Sequence, residues 1–279
     1  MGPDLAAEQI RRTEASVTKK QVLNMKIQEI KEQFKSCPTD SLPQLIEIYG
    51  HDERSGIKAE IARAVKRLEA VEKEKERMFT MFRFEREYAY AGYLCGIDEV
   101  GRGPLAGPVV AGAVILPKDC SILYLNDSKQ LSAQKREELY EVIMKEAVAA
   151  GIGCVSPERI DEINILQATY EAMRKAVGCL SVQPDLLLND AVTIPGIRCR
   201  QVPIIKGDAK SASIAAASII AKVTRDRMMV QYESIFPGYG FAANKGYGAA
   251  AHIDALKRLG PTPIHRRSFI KNFMESADE

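Results

Sequence analysis

Apolar positions along the chain change their spacing once, and the change divides the sequence. Val22, Met25, Ile30 and Phe34 recur at about one helical turn or multiples of it, which predicts a helix stopping near Pro38. Leu42, Leu45, Ile46 and Tyr49 give a second short helix closed by Gly50. After HDERSG, Ile57, Ile61, Val65 and Leu68 draw an apolar stripe along a highly charged helix running toward Arg83. Residues 1 to about 20 are polar and carry no such stripe. The expectation is a small helical module over residues 1–85. Its mixed-sign charges fit a solvated connector or an accessory module that binds nucleic acid or a partner.

Beyond Gly92 the apolar runs become short and β-rich. Tyr93–Ile97 and Val109–Leu116 predict strands, with Gly101–Pro108 turning the chain between them and Ile122–Leu125 as a brief further strand. A helix over Ala133–Ala150 follows, with Ser132 as N-cap. Ile152–Val155 predicts a strand, and Ser156 with Pro157 opens a helix through Val177. Leu186–Asp190 predicts a buried strand and Cys199–Ile204 another. A helix runs from Ser211 to about Ile235, GYGFAANKGYG breaks it, and a last helix spans Ala249–Leu259. Strands followed by alternating strands and helices predict an α/β domain over 86–279, with a mixed sheet flanked by helices and a helical C-terminal region.

Composition narrows the class. With 279 residues, 46% hydrophobic and 27% charged, the chain has room for one core and a smaller module. A net charge of +2 calls for local clustering if the partner is nucleic acid. Such a cluster is offered by Lys206, Lys210, Lys222, Arg225, Lys245, Lys257, Arg258, Arg266 and Arg267, if they share one face. Six cysteines without a CxxC pair read as reduced thiols of a cytoplasmic protein, which argues against zinc and disulfides. No apolar run reaches the ~20 residues a membrane span needs. Three histidines, none at i,i+4 spacing, leave little for a histidine metal site or a Ser-His-Asp triad.

The candidate chemistry lies in acids at strand ends. Asp98 and Glu99 close one apolar run, Asp190 closes another, and Asp208 precedes the small-residue helix SASIAAASIIAK. Strand ends distant in sequence converge at one edge of an open α/β sheet. Acids gathered there repel one another unless a cation intervenes, and an all-oxygen set suits magnesium. Taken singly, Asp208 fits equally well as an acid favoured by a helix N-terminus, and Asp98-Glu99 as a surface turn. Gly101-Arg102-Gly103 adds backbone that a ligand can approach closely, with an arginine suited to phosphate.

Together GIDEVGRGPLAGPVVAGAVIL, NDSKQLS, KGDAKSASIAAASIIAKVTRDR, FPGYGFAANKGYG and PIHRRSF resemble the bacterial ribonuclease HII family, in family order from Gly92 to Phe273. The region from Val22 to about Phe82 resembles the family's N-terminal extension more weakly. The resemblance implies a ribonuclease-H-like fold and an endonuclease that cuts RNA in RNA–DNA hybrids and 5′ of single ribonucleotides in duplex DNA, leaving 3′-hydroxyl and 5′-phosphate ends. It implies Mg2+ or Mn2+, in a two-metal mechanism, held by Asp98, Glu99, Asp190 and Asp208. Substrate contacts fall on Gly101, Arg102 and Gly103 for the 2′-hydroxyl and phosphate, on Ser128 and Lys129 for phosphate, and on Tyr247 for the following sugar. Gln130 and Ala249 depart from the family's usual lysine and threonine, which bears on substrate affinity rather than on the acids.

A monomer acting on nucleic acid, with no membrane partner, is expected; a replication-clamp partner is not readable from the residues. Three alternatives stand beside this one. Another metal nuclease of the same fold would have the acids without GRG and KGYG. The sister type III enzyme would cut single ribonucleotides poorly. A hybrid-binding protein would bind without turnover.

Overall fold

The structure, a computed structural model, describes residues 25–274. The expectations for residues 1 to about 20 and for Val22 lie outside the described residues. The chain divides into two compact units, with the boundary after Arg77.

The first unit holds α1 (Ile27–Ser36), α2 (Leu42–Tyr49) and most of α3 (Ser55–Met81). The residues that set the helical spacing make its core: Ile30, Phe34, Leu42, Tyr49 and Ile57 are buried together, with Ile61 and Leu68 packed against them. The rings of Phe34 and Tyr49 lie 5.7 Å apart, and the Tyr49 hydroxyl donates to Gln33 Oε1 at 2.7 Å. Pro38 follows Cys37 in extended backbone just past α1, where its missing N–H costs the helix nothing.

The second unit contains a short helix, α4 (Arg83–Glu87), and is built on a five-stranded mixed sheet. Its strands are β1 (Leu94–Val100), β2 (Val109–Ile115), β3 (Ala149–Val155), β4 (Leu186–Asp190) and β5 (Arg200–Ile204), in the order β3-β2-β1-β4-β5. β2 pairs antiparallel with β1 and β3, while β4 runs parallel to β1 and β5. Cys95 and Ile97 face one side, in a core shared with Ala168, Ala172 and Ala176 of α6 (Pro157–Gly178). The other side is covered by α7 (Ala212–Ile235) and α5 (Ala133–Glu146), through Ala216, Ile219 and Ile220 and through Leu139 and Ile143. A Cβ at Gly96 would collide with the backbone of Ser213 and Ile214, so glycine lets the start of α7 lie directly on β1. That contact brings Ser218 of α7 to Asp98.

Three expectations are corrected. Ile122–Leu125 is not a strand: Tyr124 takes a left-handed φ of 68°, so the segment turns, while Ile122 and Leu125 still bury in the core. The helix from Ala133 ends at Glu146, and Ala149 and Ala150 begin β3, where pairing with Ile115 and Val114 outweighs alanine's helix preference. Beyond α8 (Phe241–Asn244) and α9 (Ala250–Leu259) there is a further helix, α10 (Arg267–Met274). Its first amides, from Arg267 and Ser268, donate to Asp161 of α6 at 2.7 and 2.9 Å, a cap supplied from more than a hundred residues away. The caps expected at Ser132 and Ser156 are present, accepting from Lys135 N and Arg159 N.

Candidate functional site at the carboxyl edge of the sheet

β1 and β4 are parallel neighbours in register up to Ile97 and Asn189, so the next residues, Asp98 and Asp190, sit side by side at the same edge. β5 ends beside Asp190 at Ile204, and a single turn of 3₁₀ helix, Gly207–Ala209, then presents Asp208. The Gly207 amide donates to Asp190 Oδ1 at 2.7 Å, which ties that turn to the end of β4. Asp208 is therefore not the cap of the long helix; Ser211 fills that place, accepting from Ile214 N. Ala191 and Lys206, beside two of the acids, both hold left-handed φ values of 56° and 57°. That conformation costs a non-glycine residue roughly 1–2 kcal/mol, strain of the kind that gathers at functional sites.

The electrostatics follow from this crowding. Asp98 is 7% exposed, and burial lifts its carboxyl well above the usual carboxylate range; Glu99 and Asp190 add to the rise, and a bond from Ser218 opposes it. Burial also lifts Glu99, against the pull of Arg102, whose guanidinium lies 3.3 Å away. Asp208 rises through burial and the charges of Asp127 and Asp190. Burial disfavours the Lys129 ammonium, but Asp127, Asp98 and Asp208 outweigh it and hold its pKa above the ordinary value. Lys129 is therefore within electrostatic reach of the acids.

These residues fit a hard divalent cation by chemistry: four oxygen donors, no sulfur or imidazole, and mutual repulsion that a cation would relieve. Among the described residues no three acidic, histidine or cysteine side chains already form a cage.

The expected substrate contacts divide. Tyr247 is 44% exposed, and its phenol is within electrostatic reach of Lys129. Arg102 is half exposed and paired with Glu99, so it does not stand alone as a phosphate fork. The Ser128 hydroxyl is buried 2.9 Å from Ser218 Oγ and, with the Ser218 proton given to Asp98, is the donor of that bond, so it supports the acid rather than facing solvent. Lys129 stays available beside it, its amide capped by Asp127 at 2.9 Å. Of the nine basic residues considered for a phosphate-binding face, Arg225 and Arg266 are fully buried, so that grouping is corrected.

Sequence reasoning missed what those arginines and two histidines do. Arg225 donates to the carbonyls of Pro108, Ala106 and Lys245 at 2.9 to 3.0 Å. Arg266 donates to Gly107 O and Arg102 O, and also to Gly101 O. His252 and His265 are buried with their Nε2 atoms 3.1 Å apart. The Tyr247 carbonyl, 2.8 Å from His252 Nδ1, can only accept, so that nitrogen carries its proton. His265 then donates from Nε2 to His252, and its Nδ1 accepts from the Thr262 amide. One signal could have found Arg225: Ile214, Ser218, Ala221, Arg225 and Met229 fall on one helical stripe, all buried. Nothing comparable marks Arg266, which stands just before a helix.

Two family models match the chain: Ribonuclease HII over residues 95–272, and the Ribonuclease HII N-terminal domain over residues 26–89. A ribonuclease HII of Lachnoclostridium phytofermentans is 61% identical, covering 90% of this chain and 98% of its own. Among solved structures, ribonuclease H2 of Pyrococcus horikoshii OT3 is 28% identical with a TM-score of 0.56, over 67% of this chain and 99% of that one. Bst ribonuclease HIII, solved in complex with Mn2+, is 20% identical with a TM-score of 0.52 over 67% of this chain and 70% of its own, a likeness of fold. The second unit thus has the ribonuclease-H-like fold, and the chain belongs to the ribonuclease HII family: it is a ribonuclease H, an endonuclease active on RNA–DNA hybrids.

Proposed function

We propose that the enzyme also incises duplex DNA 5′ of single embedded ribonucleotides, leaving 3′-hydroxyl and 5′-phosphate ends and serving ribonucleotide removal and RNA primer processing. Asp98, Glu99, Asp190 and Asp208 are its acidic centre, with Mg2+ or Mn2+ as cofactor. The observation that supports this reading most is that β1 and β4 bring Asp98 and Asp190 to one edge, with the GRG turn following β1 and hydrogen-bonded through Leu105 to Gly246, next to the exposed Tyr247.

When bound, the metal supplies Lewis acidity toward the scissile phosphate. The chain's own residues do the rest. The four carboxylates would hold the metal, and Ser218 fixes Asp98 from below. The GRG backbone reads the 2′-hydroxyl, the one group that separates RNA from DNA at a given position. Tyr247 lies against the next sugar, where a ring in contact favours a deoxyribose. Lys129 binds a phosphate near the acids. The helical first unit serves as an accessory substrate-binding element. The enzyme acts as a monomer in the cytoplasm, a setting that suits six free thiols.

A labelled DNA duplex holding one ribonucleotide tests the reading. In Mg2+ a single cut 5′ of the ribonucleotide, ending in 3′-hydroxyl, is expected, with none in chelator. Tight binding without turnover in either metal would leave an inert hybrid-binding protein.

A further inference from the structure

Arg225 and Arg266 are fully buried, and neither forms an ion pair with a described carboxylate. Burying an unpaired charge costs several kcal/mol unless its hydrogen bonds are met. Here they are met by carbonyl oxygens alone: Arg266 takes those of Gly101, Arg102 and Gly107, and Arg225 those of Ala106, Pro108 and Lys245. The inner side of the 101–108 turn is thus spoken for by two cations. Arg225 also joins that turn to the loop carrying Tyr247, where Gly246 O accepts from Leu105 N at 2.8 Å.

The consequence follows from peptide geometry. No peptide bond here is cis, and in a trans peptide the C=O and the following N–H point in opposite directions. With Gly101 O and Arg102 O drawn toward Arg266, the amides of Arg102 and Gly103 must point away from it. Those two amides donate to no group among the described residues. Adjacent outward N–H groups backed by a buried cation form a concavity suited to anionic or hydroxyl oxygens. A Cβ at Gly101 would meet Arg225, and its φ is 88°, so only glycine lets the turn lie this close to the buried guanidinium.

We propose that Arg266 is a positioning residue for ribonucleotide recognition: by holding the Gly101 and Arg102 carbonyls inward it aims the Arg102 and Gly103 amides at the oxygens of the ribonucleotide. This rests on the GRG turn reading the ribonucleotide. A lysine at 266 lacks the planar fork that reaches three carbonyls at once.

The test is the ratio of dissociation constants for an all-DNA duplex and the same duplex with one ribonucleotide, measured without turnover in chelator. For Arg266→Lys, folded by near-ultraviolet circular dichroism, the ratio should fall at least tenfold while all-DNA affinity stays within twofold of the parent. An unchanged ratio in the folded variant overturns the inference, since a purely structural arginine would alter stability and not preference. Phe269→Leu is the milder second variant. It removes the ring 5.1 Å from the guanidinium and leaves every hydrogen-bond donor in place. Its ratio should fall about threefold, and an unchanged ratio there overturns the inference if Arg266→Lys does not fold. A parent enzyme with no preference at all would instead remove the functional reading on which this rests.

Discussion

Two charged regions of the second unit lie close together and are handled in opposite ways. At the carboxyl edge, Asp98, Glu99, Asp190 and Asp208 crowd one another, three of them with raised proton affinity, and no cage is complete among them. Under the GRG turn, Arg225 and Arg266 are more deeply buried than any of the acids, yet six carbonyl oxygens already answer them. The acids have internal partners for only part of their charge, Ser218 for Asp98, Arg102 for Glu99 and the Gly207 amide for Asp190, and three of them still have raised proton affinity. The arginines are satisfied within the chain and fix the backbone that meets the ligand. A buried charge fully answered by backbone oxygens is architecture; crowded like charges with raised proton affinity mark where chemistry can enter.

The largest way to break this contrast is to neutralise an acid. Asp190→Asn keeps the shape and can still accept from the Gly207 amide, so the fold should stand. Turnover in Mg2+ should drop more than about 1000-fold, roughly 4 kcal/mol of barrier. Cleavage within about tenfold of the parent, ~1.4 kcal/mol, would remove Asp190 from the catalytic set.

Tyr247 sharpens the contrast where the two regions meet. Its carbonyl is held by His252 and its ring is left half exposed. Tyr247→Ala should reduce incision at isolated ribonucleotides by about 100-fold, ~3 kcal/mol. Loss on continuous RNA–DNA hybrid should be much smaller, because many positions there can compete for the site. Tyr247→Phe should retain most incision if stacking dominates. Equal losses of the alanine variant on both substrates would make Tyr247 a packing residue.

The two regions also differed in how far they could be read from sequence. Acids at the ends of apolar runs are legible because strand interiors disfavour them, and the parallel pairing of β1 and β4 then brings Asp98 and Asp190 together. Asp208 was legible only through its motif, since its turn is held by Gly207 and Asp190 rather than by the helix that follows. The arginine floor was not legible. A basic residue normally reads as surface, and the carbonyls that reverse this for Arg266 lie some 160 residues earlier in the chain. Tyr124 and Ala149 failed as predictions for the same reason in milder form: a left-handed φ and a distant strand decided their structure, not their neighbours.

A smaller effect tests whether the buried charge of Asp98 opposes folding. The folded pKa of Asp98 is raised above its unfolded value, so its charged form opposes folding. This penalty is absent below the unfolded pKa, near 4, and grows as pH rises toward the folded value. Asp98→Asn should therefore melt higher than the parent in chelator at pH 7, by ~2–4 °C for each kcal/mol relieved. The advantage should shrink as pH falls toward 4, and saturating Mg2+ should narrow it by stabilising only the parent. Identical melting of the two proteins at pH 7 would mean that the Ser218 bond already compensates the charge.

The smallest expected effect concerns the histidine pair that braces Tyr247. Burial, with His252 and Arg267 adding to it, lowers the pKa of His265 to about 4. An unfolded histidine titrates near 6.5, so between these values the unfolded chain binds the extra proton and the folded one does not. The stability His265 contributes is therefore complete above pH 6.5 and lost as pH falls toward 4. The raised carboxylates at the acid edge have the opposite sign, gaining stability over the same fall. The two contributions therefore oppose each other in the parent, and a variant separates them. His265→Gln should melt lower at pH 7, because the Thr262 amide loses its acceptor, yet lose less on acidification than the parent. Melting curves at pH 7 and pH 5 decide it: a constant gap between the proteins would mean that the pair is protonated in both states, and that the brace beneath Tyr247 is not neutral.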